Sequence, residues 1–249
     1  MRSSWLREAF VACRLGEATV FPRCLSAEVV LNLPLSIESV PRLSTQGITR
    51  WLRARGINHE VAPDRRLHGC LVANAGGGIV FLDLDDDDAE RRFTLAHEVS
   101  HFVLDHHLPR LRALAAFGET ILPVLDGQRP PTREEALSAA LDHVSLGVHV
   151  HLMGRGPQGA ICDWSVEDAE QRADRLALEL LAPACAATQA VRQLLGARSD
   201  DPGKAPDQAA GILASRFGLP ARIARSYFDL LTSRSRVRST LTDEILGSS

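Results

Sequence analysis

The feature that most constrains this chain is the segment RRFTLAHEVSHFVLDHH, residues 91–107, which holds four of the nine histidines. Apolar residues recur in it at helical spacing, so the segment predicts a helix packed into a core. The pattern His97–Glu–x–x–His101 places two imidazoles one turn apart on one face of that helix, where both can reach one ion. Burying them without partners would be unfavourable. The segment therefore predicts a metal site on a buried helix.

The acid inside this pattern suggests chemistry rather than structure alone. Two neutral imidazoles and one further ligand leave zinc with an open position, which is the arrangement of a catalytic site. Glu98 projects beside the ion, where its carboxylate can take a proton from a water molecule whose pKa the ion lowers to about 7. We therefore expect Glu98 to act as a general base beside one Zn²⁺. The ligand types also accommodate Mn²⁺.

A third ligand has to come from elsewhere in the chain. His107 would complete the pattern HExxHxxGxxH, but Leu104 stands where that pattern needs glycine. The helix should therefore continue, which turns His107 away from the first two histidines. We expect His106 and His107 to face solvent at the end of the helix.

A second predicted helix offers better candidates for the third ligand. Residues 165–183, SVEDAEQRADRLALELLAP, have an apolar stripe and end at a proline. Residues three or four apart are neighbours on a helix surface, so three acids of this helix share one face by their i, i+3, i+4 spacing: Glu167, Glu170 and Asp174. The spacing alone leaves all three open as the third ligand.

Around these two helices the chain carries further local signals. A helix is predicted at 44–56, with Ser44 or Thr45 as its N-cap. A short strand is predicted at 57–62 and a hairpin at 68–86. The acid run 85–88 fits the N-terminus of the following helix and needs no bound cation. Residues 207–231 predict a helix–turn–helix with Gly218 at the turn.

Two motifs together resemble the ImmA/IrrE metallopeptidases. RFTLAHEVSH, residues 92–101, resembles their FTLAHE-type helix, and residues 170–183 resemble their pattern E-x-x-A-[ND]-x-x-A-x-x-L-L-x-P. The flanks at about 44–84 and 207–231 are similar more loosely. The resemblance implies a zinc metallopeptidase in which Glu170 is the third ligand, with Ala173 and Ala177 at a close helix contact. It also implies that the substrate is a helix–turn–helix transcriptional repressor.

This chain departs from the family at two places. Members often have a histidine where this chain has Asp105, which can orient His101 as a hydrogen-bond acceptor or simply end the helix. An insertion is also predicted at about 108–162. Within it, GVHVHLM puts His149 and His151 on one face of a strand, either as donors that stabilise a transition state or as residues of a solvated edge.

The predicted fold class is α+β: a small antiparallel sheet packed on the HExxH helix and the second ligand helix, with a helical C-terminal subdomain. Residues 1–40 are predicted to be an N-terminal extension, 41–195 the metallopeptidase domain with its insertion, and 196–249 the helical subdomain and tail.

Composition restricts the setting of such an enzyme. Five scattered cysteines without a CxxC pair favour a reducing cytoplasm, and no segment predicts a signal peptide or a membrane span. The formal net charge is −3, so we do not expect direct DNA binding, although arginines follow the predicted helix–turn–helix. Two alternatives to the enzyme remain: a zinc-stabilised regulatory protein that binds without cleaving, and a DNA-binding regulator that uses the C-terminal helices.

Overall fold

The structure is a computed structural model that describes residues 3–57, 64–136, 149–154, 164–195 and 205–232. The chain divides into two compact units. The first contains Met1–Glu17 and Cys24–Ala177, and the second contains Ala18–Arg23 and Leu178–Ser249. The short strand predicted at 57–62 falls mostly outside the described residues. The predicted boundaries at 40/41 and 195/196 stay predictions.

The first unit is built from a sheet and the helices that precede and follow its strands. Its described strands are β1 (Leu35–Val40), β2 (Leu67–Asn74), β3 (Gly77–Asp83) and β4 (His149–Gly154). The α-helices whose bounds lie within the described residues are α1 (Ser4–Ala12), α2 (Leu25–Asn32), α3 (Thr45–Arg53), α4 (Asp88–His101), α5 (Leu108–Phe117), α6 (Leu122–Leu125) and α7 (Trp164–Leu181), most of which belongs to this unit. A π-helical segment, Phe102–His107, joins α4 to α5, and a 3₁₀ turn, Gly118–Ile121, joins α5 to α6.

The strands form one sheet in the order β1-β3-β2-β4. The predicted hairpin is β2 and β3, which pair antiparallel, and β4 pairs antiparallel with the other edge of β2. The α+β fold class is confirmed. The sheet was predicted to be antiparallel, whereas β1 pairs with β3 in parallel. Between these two strands the chain passes through α3 and β2, a connection long enough to bring β3 back in the direction of β1.

The face of the sheet that packs on α3 carries an apolar core. The buried residues of this core are Leu43, Ile48, Leu52, Leu67, Cys70, Val72 and Phe81. Trp51 of α3 meets Phe81 of β3 edge to face, with ring centroids 5.0 Å apart, a favourable aromatic geometry. The Ser44 hydroxyl accepts a hydrogen bond from the Gly47 N–H and so caps α3 as predicted. This packing fixes the sheet against which the metal helix lies.

The acid run before α4 acts as a helix start. The Asp87 carboxylate accepts hydrogen bonds from the N–H groups of Ala89 and Glu90, both at 2.9 Å. Asp85 pairs with Arg66, and Asp86 lies 2.8 Å from the His68 ring. Asp85, Asp86 and Asp87 thus each have a protein partner, and the expectation that the run needs no cation stays a prediction.

The helix predicted over 91–107 is α4 and the π segment after it. The expectation that His106 and His107 face solvent is wrong, because the wider π turn rotates both inward: His106 is buried and His107 is half-buried. The predicted insertion also contributes to the fold, since its residues 149–154 are strand β4 of the central sheet. Among the described helices, none combines the length and apolar character that a bilayer crossing requires.

The second unit is helical in its described part. It contains the end of α7, α8 (Ala184–Leu195), α9 (Ala205–Phe217) and α10, residues 221–232. The predicted helix–turn–helix is α9 and α10, with Gly218 in the left-handed region at φ 64°. The Tyr227 hydroxyl donates a hydrogen bond of 2.7 Å to the Ala182 carbonyl oxygen, which makes this buried tyrosine a core residue.

Candidate metal centre

The two histidines of the HExxH pattern point one nitrogen each at a common place. His97 and His101 are both buried on α4, and their Nε2 atoms lie 3.2 Å apart. Their ring centroids are 4.7 Å apart. Residues four apart lie one turn apart on the same face of a helix, so both imidazoles face one point.

A carboxylate from α7 approaches the same place. Glu170 Oε2 lies 3.3 Å from the Nε2 of His97, and Glu170 Oε1 lies 3.5 Å from the Nε2 of His101. Burial alone would raise the pKa of Glu170, but hydrogen bonds from the surrounding histidines hold it far below its usual range. Of the three acids that the spacing left open, Glu170 is the one that faces both Nε2 atoms, whereas Glu167 is exposed and contacts Gln171.

Two further acids hold the outer nitrogens of the same rings. Asp174 Oδ1 lies 2.9 Å from the Nδ1 of His97, and Asp105 Oδ2 lies 2.7 Å from the Nδ1 of His101. Burial alone would lower the pKa of His97, but its hydrogen bonds to Asp174 and Glu170 outweigh burial and raise it to about 9. Each Nδ1–H can donate to a carboxylate, which leaves the Nε2 lone pair directed at the common point.

Glu98 lies beside this point and is completely buried. Its Oε2 is 2.8 Å from the Nδ1 of His151, while its Oε1 is buried and has no hydrogen-bond partner among the described residues. Helix α4 approaches β2 closely at Gly69, which has no side chain. A Cβ added to Gly69 would lie 3.1 Å from Glu98 Oε1 and 2.4 Å from Thr94 Cγ2. The glycine thus permits the close approach of α4 to the sheet.

His151 comes from β4 and lies between the two glutamates. In the sheet it stands opposite Leu71 of β2, two residues along from Gly69, on the face that α4 covers. Its Nε2 is 2.9 Å from Glu170 Oε1, and its ring stacks on that of His101 with centroids 3.6 Å apart. Burial alone would lower the pKa of His151, but the charge of Glu98 and the hydrogen bond to Glu170 raise it to about 10.

The strand histidines were predicted as either donors or solvated edge residues. His151 is mostly buried within the site, so the solvated alternative does not hold for it. The side chain of His149 lies outside the described part of the chain, and its proposed role stays a prediction. Its backbone pairs with Ala73 of β2.

The donor set fits a zinc ion. Zn–N and Zn–O bonds of about 2.0–2.2 Å in a tetrahedral site place neighbouring ligand atoms about 3.3–3.5 Å apart. The separations here, from 3.2 to 3.5 Å, match that spacing. The carboxylate of Glu98 contacts His151 of this group through Oε2, and its buried Oε1 has no hydrogen-bond partner among the described residues. Together, His97, His101, His151 and Glu170 form a group whose ligand atoms all lie within 4.8 Å of one another.

A family comparison agrees with this geometry. The family model of peptidase family M48 matches residues 71–233, which is well over half of the chain. The chain belongs to peptidase family M48. Peptidases of this family are zinc-dependent, so the expected class, a metallopeptidase, follows from the match as well as from the site. No curated protein and no solved structure matches the chain.

The M48 match covers the whole site, because it begins in β2 and extends through α4, β4 and α7. It also includes the helix–turn–helix of the second unit. There Arg225 forms an ion pair with Asp207, so part of the basic character of these helices is neutralised within the protein. The arginines at 234, 236 and 238 lie outside the described residues. Direct DNA binding, which we do not expect, stays untested by the structure.

His107 belongs to a different environment from this M48 site. Its ring stacks on Phe102 with centroids 5.6 Å apart, and it is not part of the ligand group found among the described residues. Burial lowers the pKa of His107, and the positive charges of Arg14 and Arg110 lower it further. His107 therefore lies outside the ligand group found among the described residues, whereas its expected exposure to solvent was wrong.

The sequence predicts Asp174 only as an alternative to Glu170 for the third ligand. In the structure it instead contacts the outer nitrogen of His97. The signal was present, because Asp174 lies four residues after Glu170 and thus on the same face of α7. A metal-ligating histidine commonly donates its other ring N–H to a carboxylate, so this position suits an orienting group as well as a ligand.

Proposed function

We propose that this chain is a zinc-dependent metallopeptidase in which His97, His101 and Glu170 hold the ion and Glu98 is the general base. The observation that carries the proposal is the convergence of two Nε2 atoms and one carboxylate at 3.2–3.5 Å, with both Nδ1 atoms held by acids. Asp105 and Asp174 would orient the two imidazoles. Manganese would also suit this ligand set.

The chemistry divides between the ion and the protein. When bound, zinc supplies a Lewis acid that polarises the peptide carbonyl and lowers the pKa of water to around 7. Glu98 takes the proton of the attacking water on its unpartnered Oε1. The same carboxyl then passes that proton to the leaving amine, so the base of the first step is the acid of the second. Its burial keeps bulk water from competing for this proton.

His151 would serve the reaction in a different way. It contacts Glu98 through Nδ1 and Glu170 through Nε2, so its ring spans the space between the base and the third ligand. A protonated ring whose Nε2–H exchanged Glu170 for the oxyanion would stabilise the charge that develops when water attacks the carbonyl. We propose His151 as this donor, with His149 of the same strand face as a second candidate.

The substrate class rests on the sequence resemblance to the ImmA/IrrE peptidases. That resemblance supports a helix–turn–helix transcriptional repressor as the protein that is cut, so that cleavage releases gene expression, for example in a stress response. A cytoplasmic location suits such a substrate, and it suits the buried cysteines Cys13 and Cys70, which form no disulfide. A repressor co-encoded with this chain is the first substrate to test.

The test combines metal content with cleavage. We expect wild type to hold about one zinc per chain and to cut the repressor. Glu98→Gln should keep the zinc and lose cleavage, because the base is gone while the ligands remain. Glu170→Gln should lose both. Glu167→Gln, which changes an exposed acid one turn away, is the matched control and should retain both.

Two results would contradict the proposal. If Glu170→Gln kept its zinc, the third ligand would lie elsewhere. If Glu98→Gln still cut the repressor at the wild-type rate, Glu98 would not be the base. Cleavage of unrelated unfolded proteins but not of the repressor would leave the peptidase intact and remove only the proposed substrate class.

A second function is favoured by the ligand group itself. His151 adds a fourth donor to the three proposed ligands, and four protein ligands would close a tetrahedral zinc site. The chain would then be a zinc-stabilised regulatory protein that binds a partner without cleaving it. His151→Gln separates the two functions: a closed site should lose zinc affinity on this change, whereas an open catalytic site should keep its zinc and lose rate.

A further inference from the structure

A cleft on the first unit lies on the side of α7 that faces away from the metal centre. It has a volume of about 460 Å³ and is lined by Trp5 of α1 and by Asp168, Gln171, Arg172 and Arg175 of α7. This volume is within the range of small-molecule sites, about 300–1,000 Å³. None of its residues takes part in the metal site, so the peptidase proposal does not account for it.

The four α7 residues form one face of that helix. Their positions follow the spacing i, i+3, i+4, i+7, which places them in one stripe. At about 100° per residue, Arg172 and Arg175 lie about 140–160° around the helix from Glu170. The cleft and the metal centre thus occupy opposite sides of the same helix.

The two arginines of the cleft lack acidic partners. Within the described part of the chain, neither guanidinium forms an ion pair, and the buried Nε of Arg175 has no hydrogen-bond partner. Other arginines of this unit, such as Arg66, Arg91 and Arg129, are paired with carboxylates. Two guanidinium groups without acidic partners leave the cleft with positive charge that the protein does not neutralise, so the cleft favours an anion.

Trp5 gives the cleft an apolar wall next to these charges. The guanidinium carbon of Arg172 lies 5.0 Å from the Trp5 ring centroid, close enough for a cation–π contact that holds the arginine in place. Asp168 and Gln171 add an acceptor and an amide at the rim. A ligand that fits would place an anionic group on the guanidinium groups and a planar group beside the indole.

We infer that this cleft is a binding site for a small anion that carries a phosphate or a carboxylate next to a planar ring. Arg172 and Arg175 bind the anionic group, and their planar forks suit either oxyanion. Trp5 stacks against the ring. Asp168 accepts a hydrogen bond from an N–H of the ligand and disfavours groups with several negative charges close together.

The test is calorimetric titration of the zinc-loaded chain with three probes. Adenosine monophosphate carries a phosphate and a ring, benzoate a carboxylate and a ring, and inorganic phosphate the anion alone. We expect at least one ring-bearing anion to bind more tightly than inorganic phosphate, and added salt to weaken binding. Whichever of the two ring-bearing probes binds identifies the anion as phosphate or carboxylate.

Variants locate the binding. Losing one charged hydrogen bond weakens affinity by about 10- to 100-fold, so Arg172→Gln and Arg175→Gln should each show a loss of that size. Trp5→Leu should reduce the affinity for the ring-bearing anion towards that of inorganic phosphate. Arg50→Gln, an exposed arginine of α3, is the matched control and should change nothing. Circular dichroism and zinc content of each variant verify that the fold and the metal centre persist.

Two outcomes would overturn the inference. One is that no probe binds in the millimolar range at low salt. The other is that the probes bind equally well to the two arginine variants, which would place them elsewhere, for example at the zinc. Because the readout is binding, the result does not depend on whether the chain cleaves peptides.

Discussion

Gly69 of β2 should be needed for catalysis although it carries no functional group. An added Cβ would lie 2.4 Å from Thr94 Cγ2, 3.1 Å from Glu98 Oε1 and 3.3 Å from Glu98 Cγ. Carbon atoms in contact are normally about 3.5–4.0 Å apart, so α4 and β2 would have to separate by about 1 Å. Thr94 is completely buried in a close-packed interior, so its methyl group has little room to turn away.

The size of the effect follows from this displacement. Overpacking a core typically costs about 1–3 kcal/mol of stability. A displacement of about 1 Å in an active site can reduce the rate about 100-fold. His97 and His101 move together with α4, but His151 stays with the sheet next to β2. The Glu98–His151 contact should therefore lengthen, while the zinc ligands on α4 keep their spacing.

We expect Gly69→Ala to keep about one zinc, to lose about 1–3 kcal/mol in urea unfolding and to lose about 100-fold in kcat. A second substitution can test the cause: Thr94→Ser removes the clashing methyl group, so the double variant should recover part of both losses. Gly211→Ala is the control, because an added Cβ there meets nothing within 4 Å. Wild-type stability and kcat in Gly69→Ala would refute this account of the helix–sheet contact.

Three further predictions concern single polar contacts. Asp174→Asn should weaken zinc binding about 10- to 100-fold in a chelator competition, because His97 loses the acceptor that orients it. Tyr227→Phe should lower the free energy of unfolding by about 1–2 kcal/mol, since a buried carbonyl oxygen loses its donor. The Arg129 hydrogen bond lowers the pKa of Glu135 from 4.5 to about 2, so this pair stabilises the fold above pH 4.5 and its contribution is lost as the pH falls towards 2. Carboxyl NMR titration should show that depressed pKa, and Arg129→Gln should return it towards 4.5.

Local signals predicted the elements that local interactions stabilise. Helix α3 has a Ser44 cap and an apolar stripe, and its bounds at Thr45–Arg53 follow the prediction closely. The hairpin of β2 and β3 turns at Gly76, whose φ of 83° suits glycine. In each case the residues that decide the conformation are within a few positions of one another, so a single sequence contains the information.

Features that depend on residues far apart in the sequence could not be predicted from such local signals. β4 joins the sheet although a long stretch of chain separates it from β3. Nothing in the residues GVHVHLM predicts which strand β4 pairs with. Its register decides the chemistry, since a shift by one residue would turn His151 to the α3 face. The π-helical segment is also not predicted by any residue type, although His106 and His107 within it turn inward.

Sequence spacing predicts which residues share a helix face, but the orientation of the imidazoles also depends on how the two helices pack. HExxH fixes only that two rings share a helix face; it does not fix which nitrogen of each ring points at the ion. Here an acid one turn after a ligand settles that choice on both helices: Asp105 follows His101 and contacts it, and Asp174 follows Glu170 but contacts His97. Each acid therefore has a position that spacing predicts, whereas its partner depends on how α7 packs beside α4. The pattern HExxHxxxD with a later ExxxD thus indicates the site more fully than HExxH, because it includes the groups that direct the ligand atoms as well as the ligands.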